Sequence, residues 1–444
     1  MTRHTRPANT SPGRFSPVAG LLIDISPLRS SPDFARLCIS QFFTVWCRQL
    51  VIVAMPYQVY LATRSSLWVG LLGMAQAAAI VSIGLYGGGL IDRFDRRRIQ
   101  AIGKTIAAAA SIALAVSAAR ESTPIWSIFA LAALGTAAYT LDQSARAATV
   151  PRLVSPSLLP SALSLGIVLQ RGGAIAGPAA GGLAIATLGL PWAYGLDVVG
   201  FLPAVLIISS LSPQRSEGQH VALGLRAPLE ALNYVRRSPI LISIFIADLN
   251  ATIFGVPTAV FPALALNVFK VGASGLGLFY SAEAFGALVA TLFSGWVRHI
   301  QRQGALIIAA IVVWGFAITG FGLSGQIRWL GLLLLAVAGA GDMISAVFRQ
   351  TILQVEVPDH LRGRMSAFNS MVVATGPRLG DLEAGGVAAL FSPIVSVVSG
   401  GVLTVLGIAV LAIATSTLRN YRRLAPPTQL VVAADPEVPA APAP

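Results

Sequence analysis

Gly88-Gly89-Leu90-Ile91-Asp92-Arg93-Phe94-Asp95-Arg96-Arg97-Arg98 closes one long apolar run and opens the next, crowding six charges into a short turn. The positive-inside rule places such a basic turn on the cytoplasmic side of a membrane. That rule accounts for the arginines but not for the order Gly-x-Leu-x-Asp-Arg-x-x-Arg-Arg. A glycine one helical turn before an aspartate lets two helices approach closely. The carboxylate then sits at a helix end, where it can face the positive N-terminus of a neighbouring helix.

Composition supplies the frame for that turn. Of 444 residues, 55% are hydrophobic and 11% charged, with mean hydropathy +0.74. A soluble chain carries about 25% charged residues, so this is an all-α polytopic membrane protein whose solvent is the lipid bilayer. The formal charge of +13 is dispersed between apolar runs, with no basic face or aromatic-basic motif, which speaks against nucleic acid as a partner. Lys104 and Lys270 interrupt an otherwise arginine-only, alanine-rich composition, the usage of GC-rich bacterial coding DNA. Cys38 and Cys47 share the first apolar segment and point to opposite helix faces at about 100° per residue, so they cannot bridge. His4, His220, His299 and His360 all fall in loops or tails. No metal or cofactor is expected. The lack of His-Glu-x-x-His, Gly-x-Ser-x-Gly and nucleotide-binding loop motifs argues against an embedded enzyme or an ATP-driven pump.

Residues 1–33 are polar, basic and Pro/Ser-rich, without an apolar core long enough for a cleaved signal peptide, and read as a disordered cytoplasmic tail. Apolar segments near the ~20 residues a bilayer requires follow. Six lie within 34–211: Leu37–Leu61, Leu67–Leu90, Ile99–Ala119, Ile125–Val150, Leu158–Ala186 and Trp192–Leu211. A polar linker spans 212–238, where Leu229, Leu232 and Val235 share one side of a short interfacial helix. Six more lie within 239–418: Pro239–Val268, Gly275–Val297, Leu306–Phe321, Trp329–Leu353, Met365–Leu390 and Val395–Leu418. Residues 419–444 form a Pro/Ala-rich tail.

With the N-terminus inside, the internal loops hold Arg93, Arg96, Arg97, Arg98, Arg152, Arg236, Arg237, Arg298, Arg302, Arg362, Arg364, Arg422 and Arg423. The external loops hold only Arg64, Arg120, Lys270 and Arg328. Both termini are therefore expected in the cytoplasm. The halves also read as distant copies: Arg146 and Arg349 fall late in the fourth and tenth spans, and Gly181-Gly182 and Gly385-Gly386 in the fifth and eleventh.

The fifth span holds Gly173-Ala174-Ile175-Ala176-Gly177-Pro178-Ala179-Ala180-Gly181-Gly182. Gly173, Gly177 and Gly181 make a smooth face for close packing, and Pro178 kinks the helix. This order resembles the fifth-helix motif of drug/proton antiporters of the major facilitator superfamily. The opening stretch resembles that superfamily's loop between helices two and three, which usually has glycine where this chain has Asp95. Pro27-Leu28-Arg29 through Leu61, Arg171, Gln354 through Ala367 and Thr375-Gly376 through Gly401 extend the resemblance to the enterobactin exporter family. It implies a twelve-helix major facilitator fold of two six-helix halves in the bacterial inner membrane, exporting drugs or siderophores by proton antiport. It further implies a conformational latch of Gly88, Asp92, Arg93, Arg96 and Arg97, with Asp142 as a partner of Arg96. Asp92 would face the start of the eleventh helix near Met365. Arg378, Asp381 and Glu383 depart from the small or apolar residues expected on that helix.

A charge at the bilayer centre costs at least ~2.5–3.5 kcal/mol on insertion scales, so each normally faces a cavity or partner. Arg48, Arg171, Asp248, Glu283, Asp342 and Arg378 fall near mid-depth, with Asp142 and Arg349 nearer the cytoplasm. Asp197 falls near the outer end, where water reaches. Asp342 and Arg349, seven apart, share a helix face, as do Asp142 and Arg146, four apart. An antiporter needs a group that holds a proton in one state and releases it when substrate takes its place. Asp248, Glu283 and Asp342 suit this role, because removal from water favours the neutral carboxyl and a nearby arginine favours the ionised one. Arg171 and Arg349 are the candidate arginines, and Arg48 is a candidate for an anionic substrate. Salt bridges that merely lock helices are the competing reading of each pair. The functional expectation is a monomeric secondary exporter with alternating access; an importer, a lipid flippase or a membrane receptor is the alternative.

Overall fold

The computed structural model describes residues 24–120, 124–214, 226–293, 300–325 and 327–422, with the backbone alone at 92 and 226–228. Within these, the chain forms α1 (Pro32–Thr63), α2 (Ser66–Arg93), α3 (Arg96–Ala119), α4 (Ile125–Leu153), α5 (Leu159–Leu188) and α6 (Leu190–Ser209). After the linker helix Arg226–Arg237 come α7 (Pro239–Phe254), α8 (Gly272–Leu292), α9 (Gln303–Leu323), α10 (Arg328–Glu356), α11 (Arg362–Leu390) and α12 (Pro393–Ala414). Most of the tails read as 1–33 and 419–444 lies outside the described residues, although Ser26–Ser30 form a short helix and Pro32 already opens α1. Ten of the spans are long and apolar enough to cross a bilayer on length and composition. The remaining two, α5 and α11, have the length; α5 carries Gly173, Gly177, Gly181 and Gly182, and α11 carries Arg378, Asp381 and Glu383.

Connections alternate between two ends, so Asp24 and Arg422 lie together at what we call the terminal end; the opposite is the far end. Within the first half α1 packs on α5 and α6, and α3 on α4 and α6; within the second, α10 packs on α8 and α9, and α12 on α7 and α9. The halves meet along α2–α11 and α5–α8. Large apolar side chains such as Leu206, Leu292 and Ile413 point outward, more than 70% exposed, as a lipid-facing surface requires.

The seventh span departs from the continuous Pro239–Val268 helix expected. It is α-helical to Phe254, breaks at Gly255-Val256-Pro257, and resumes as irregular turns over Thr258–Val268. Pro257 and Pro262 supply no backbone N–H and disfavour a helix through them. The resumed segment is instead anchored by a ring cluster, in which Phe269 stacks on Phe321 at 5.3 Å and Phe261 and Phe279 meet Phe321 edge-on.

The linker helix also differs from the expected Leu229, Leu232 and Val235 side. Ala231 and Val235 are the buried pair, while Leu229 is 56% exposed. The small Ala231 lets the helix lie close to α11, where Glu230 pairs with Arg364 and the Tyr234 hydroxyl donates to the Glu356 carbonyl at 3.1 Å.

Candidate functional site: a cleft between the halves

A cleft of about 470 Å³ lies between α5, α7, α10 and α11. Its charged lining is Arg171, Asp248 and Arg349. Arg349 Nη2 lies 2.6 Å from Asp248 Oδ1, both side chains being at most a tenth exposed. The other arm donates from Nη1 to Ser345 Oγ at 2.6 Å, and Asp342 Oδ1 lies 4.0 Å from Nη2. One guanidinium thus serves two carboxylates, the tighter contact reaching across to α7. Arg171 approaches from the other half, its Nη2 3.9 Å from Met343 Sδ on α10. The structure therefore brings together Arg171, Asp248, Asp342 and Arg349. Glu283 stands apart on α8, where its carbonyl packs against Gly339 of α10, and no hydrogen bond or ion pair reaches its carboxylate among the described residues.

The first half repeats this arrangement with one substitution. Gln41 follows Pro32 by nine residues, as Asp248 follows Pro239, so they hold equivalent places on α1 and α7. Arg146 Nη1 donates to Gln41 Oε1 at 3.1 Å, and its Nε to Gln143 Oε1 at 2.9 Å. The same helix-to-helix arginine contact therefore ends on a neutral amide in one half and on a titratable carboxylate in the other. Sequence reading places the two arginines in parallel but misses Gln41; the equal spacing from Pro32 and Pro239 is the available signal.

At the terminal end, the loop after α2 is stapled to the end of α6. Asp95 caps α3, accepting from the Arg97 backbone at 2.9 Å, and the same oxygen accepts from the Gln214 backbone at 3.0 Å. Arg97 Nη1 donates to the Leu211 carbonyl at 2.8 Å. Asp95 is thus a cap and a tether. The expected Asp92 contact near Met365 lies outside the described residues, because only the backbone of Asp92 is described. A Cβ added at Gly88 would meet nothing within 4 Å, and Arg93 is exposed.

Asp142 has a different partner from the Arg96 expected: it pairs with Lys104 of α3, the two side chains 4% and 2% exposed. Arg96 Nη1 instead donates to the Ala148 carbonyl at 2.6 Å. Lys104 lies two turns deeper than Arg96 and reaches Asp142 without leaving the α3–α4 seam. Replacing Lys104 by methionine is expected to lower stability by about 3–5 kcal/mol, since it strands a buried carboxylate. The double variant Lys104→Met, Asp142→Leu should recover most of the loss, measured by thermal unfolding of the purified protein in detergent.

The glycine motif of α5 splits its work. Added side chains at Gly173, Gly177 and Gly181 would strike Val45, Gln49 and Leu50 of α1, within the same half. Gly182 faces the other half: its Cβ would come 2.5 Å from the Ala273 carbonyl and 2.9 Å from Gly277 Cα on α8. On the opposite seam, a Cβ at Gly70 of α2 would meet the Asp381 carbonyl at 2.4 Å, and one at Gly385 would meet Ser66. Asn267 donates to the Tyr60 hydroxyl at 2.6 Å across the same end. These inter-half contacts all lie toward the far end, which is closed, whereas a Cβ added at Gly84, Gly88 or Gly363 toward the terminal end would meet nothing within 4 Å.

Four charges have structural surroundings the sequence does not disclose. Asp197 is 1% exposed rather than wetted, because α6 turns it onto Ser111 of α3, whose hydroxyl donates to it. Asp381 accepts from the Thr258 hydroxyl and from the Ala259 N–H at 2.9 Å, capping the resumed part of the seventh span. Arg378 joins it at 3.2 Å. Arg48 contacts Thr136 Oγ1 at 3.4 Å and lies 4.7 Å above the Tyr139 ring. No group of residues suited to a metal ion occurs among the described residues.

The chain matches the model of the family described as transmembrane secretion effector over residues 24–433. It is 29% identical over 406 residues to the enterobactin exporter EntS of Citrobacter koseri, covering 91% of this chain and 97% of that one. The Salmonella typhi enterobactin exporter is 28% identical over 412 residues with the same coverage. Among solved structures, the nucleoside transporter NupG superposes with a TM-score of 0.70 at 16% identity, covering 88% of this chain and 99% of that one. A bacterial homologue of the iron transporter ferroportin gives 0.65 at 15% identity, covering 86% and 98%.

Proposed function

Because the chain belongs to the transmembrane secretion effector family of the major facilitator superfamily, we propose that it exports small amphipathic molecules, siderophores or drugs, across the bacterial inner membrane by proton antiport. The observation that carries this reading is the Asp248–Arg349–Asp342 group on a cleft whose far end is closed. On this reading the arginine-rich terminal end faces the cytoplasm, the cleft opens inward and the protein works as a monomer. A proton on Asp248 releases Arg349 toward Asp342, and loss of that proton draws it back. Substrate in the cleft weakens proton binding by the factor with which protons weaken substrate binding. The relatives' activity on enterobactin supports the export direction and a siderophore-like cargo.

The test is accumulation of dyes, antibiotics and siderophores in cells lacking their own pumps. Cells expressing the protein should hold several-fold less of at least one compound, and an ionophore that collapses the proton gradient should erase the difference. Greater accumulation than in controls would overturn export. Export that survives the ionophore would overturn proton coupling.

A further inference from the structure

At the seam between the halves, Arg48 of α1, Gln76 of α2, Tyr280 of α8 and Arg378 of α11 line one cavity of about 50 Å³ together with Asp381. Its polar lining sets two guanidiniums, with the Gln76 amide and the Tyr280 and Thr258 hydroxyls, against one carboxylate, Asp381. The acceptor, Asp381, is already occupied by Thr258, Ala259 and Arg378. The donors are not: Gln76, 8% exposed, finds only the Met55 sulfur at 3.8 Å, and Tyr280 reaches the Thr258 carbonyl at 3.5 Å. Arg48 has a long contact to Thr136 and a ring face, and no carboxylate within 4 Å among the described residues, Asp197 acting on it only from farther off. A guanidinium inside the bilayer without a counter-charge is costly unless something supplies one.

We infer that this cavity is an anion site, in which Arg48 and Arg378, one from each half, grip a single carboxylate-like head. The inference rests on the transport reading above and specifies its cargo as acidic. The space is far smaller than the 470 Å³ cleft, so it suits an anionic head and not the body of a larger molecule. The body of a larger molecule must lie in the cleft below it. Because the two arginines belong to different halves, an anion here bridges them and favours the state in which the far end is closed. Bidentate guanidinium contacts suit a carboxylate better than a lysine would.

The purified protein in detergent is titrated with sodium benzoate, benzamide, acetate and chloride, all at constant ionic strength, with thermal unfolding as the readout. Benzoate is expected to raise Tm in a saturable way and benzamide to leave it unchanged. Arg48→Gln should weaken benzoate binding about tenfold, the loss of one charged hydrogen bond, and Arg48→Lys should weaken it less. Arg378→Gln is a poorer first choice because it also strips a partner from Asp381. Saturation by acetate and chloride at the same concentrations would assign the site to free small anions; a benzoate-only response assigns it to the head of a larger molecule. If none of the three anions shifts Tm, or if Arg48→Gln binds them unchanged, the site is refuted. In cells, Arg48→Gln should lower the export ratio of fluorescein to its methyl ester about tenfold. Export of neither compound by the wild type, beside an intact benzoate response, would count against the transport reading alone.

Discussion

Arg349→Leu is expected to abolish proton-coupled export and to lower stability by about 3–5 kcal/mol, the cost of stranding a buried charge. The guanidinium holds Asp248 at 2.6 Å and stands 4.0 Å from Asp342, so its loss leaves α7 and α10 without their polar link. Arg349→Lys should retain the fold but lose the second arm to Ser345, since an ammonium is a point charge and not a fork. Adding Asp248→Leu to Arg349→Leu removes both charges and should restore stability while export stays absent. That separation distinguishes a working pair from a merely structural one. Arg146→Leu is the control from the other half, where the partner is the neutral Gln41, and its export should keep full sensitivity to an ionophore. The measurements are thermal unfolding in detergent and accumulation with and without ionophore. Wild-type export by Arg349→Leu would remove this pair from the mechanism.

Much of the fold is legible because the bilayer simplifies the code: a run of ~20 apolar residues bounded by arginines fits a membrane span and little else. The breaks in that code are where structure adds information. The interruption at Gly255-Val256-Pro257 lies inside a single predominantly apolar run, so hydropathy alone passes over it. Pro257 and Pro262 are the local signal, and the remote one, Asp381 capping the resumed turns, depends on which face α11 presents. Asp381, a departure from the family pattern in the sequence, is the partner of that break. Spacing along one helix reads reliably, as Asp342 and Arg349 show, because 3.6 residues per turn fixes the face. Partners on different helices do not. Asp142 goes to Lys104 rather than Arg96 because depth along α3 decides reach, and a two-turn difference is invisible without the helices' relative heights.

Gly182→Leu is expected to cut export at least tenfold by forcing the far end open. A single added carbon already comes 2.5 Å from the Ala273 carbonyl, and backbone on α8 cannot step aside as a flexible side chain could. Overpacking costs about 1–3 kcal/mol. Here that cost falls only on the state in which α5 and α8 touch, so it shifts the two-state balance roughly 5- to 150-fold toward the far-open form. Gly277→Leu should act alike, since its Cβ would lie 2.2 Å from the Pro178 carbonyl on the same seam. Gly177→Leu should not: its clash is with Gln49 at 2.3 Å within the first half, which destabilises that half in both states. The readout is labelling of Leu67→Cys by a membrane-impermeant thiol reagent, in a background where Cys38 and Cys47 are replaced by serine. Leu67 packs beside Gly385 at the far end, so its reactivity reports whether α2 and α11 have parted. Gly182→Leu and Gly277→Leu should raise the labelling rate, and Gly177→Leu should lower thermal stability without raising it. Unchanged labelling beside normal export in Gly182→Leu would mean that the seam seen here is not the barrier the transport cycle must open.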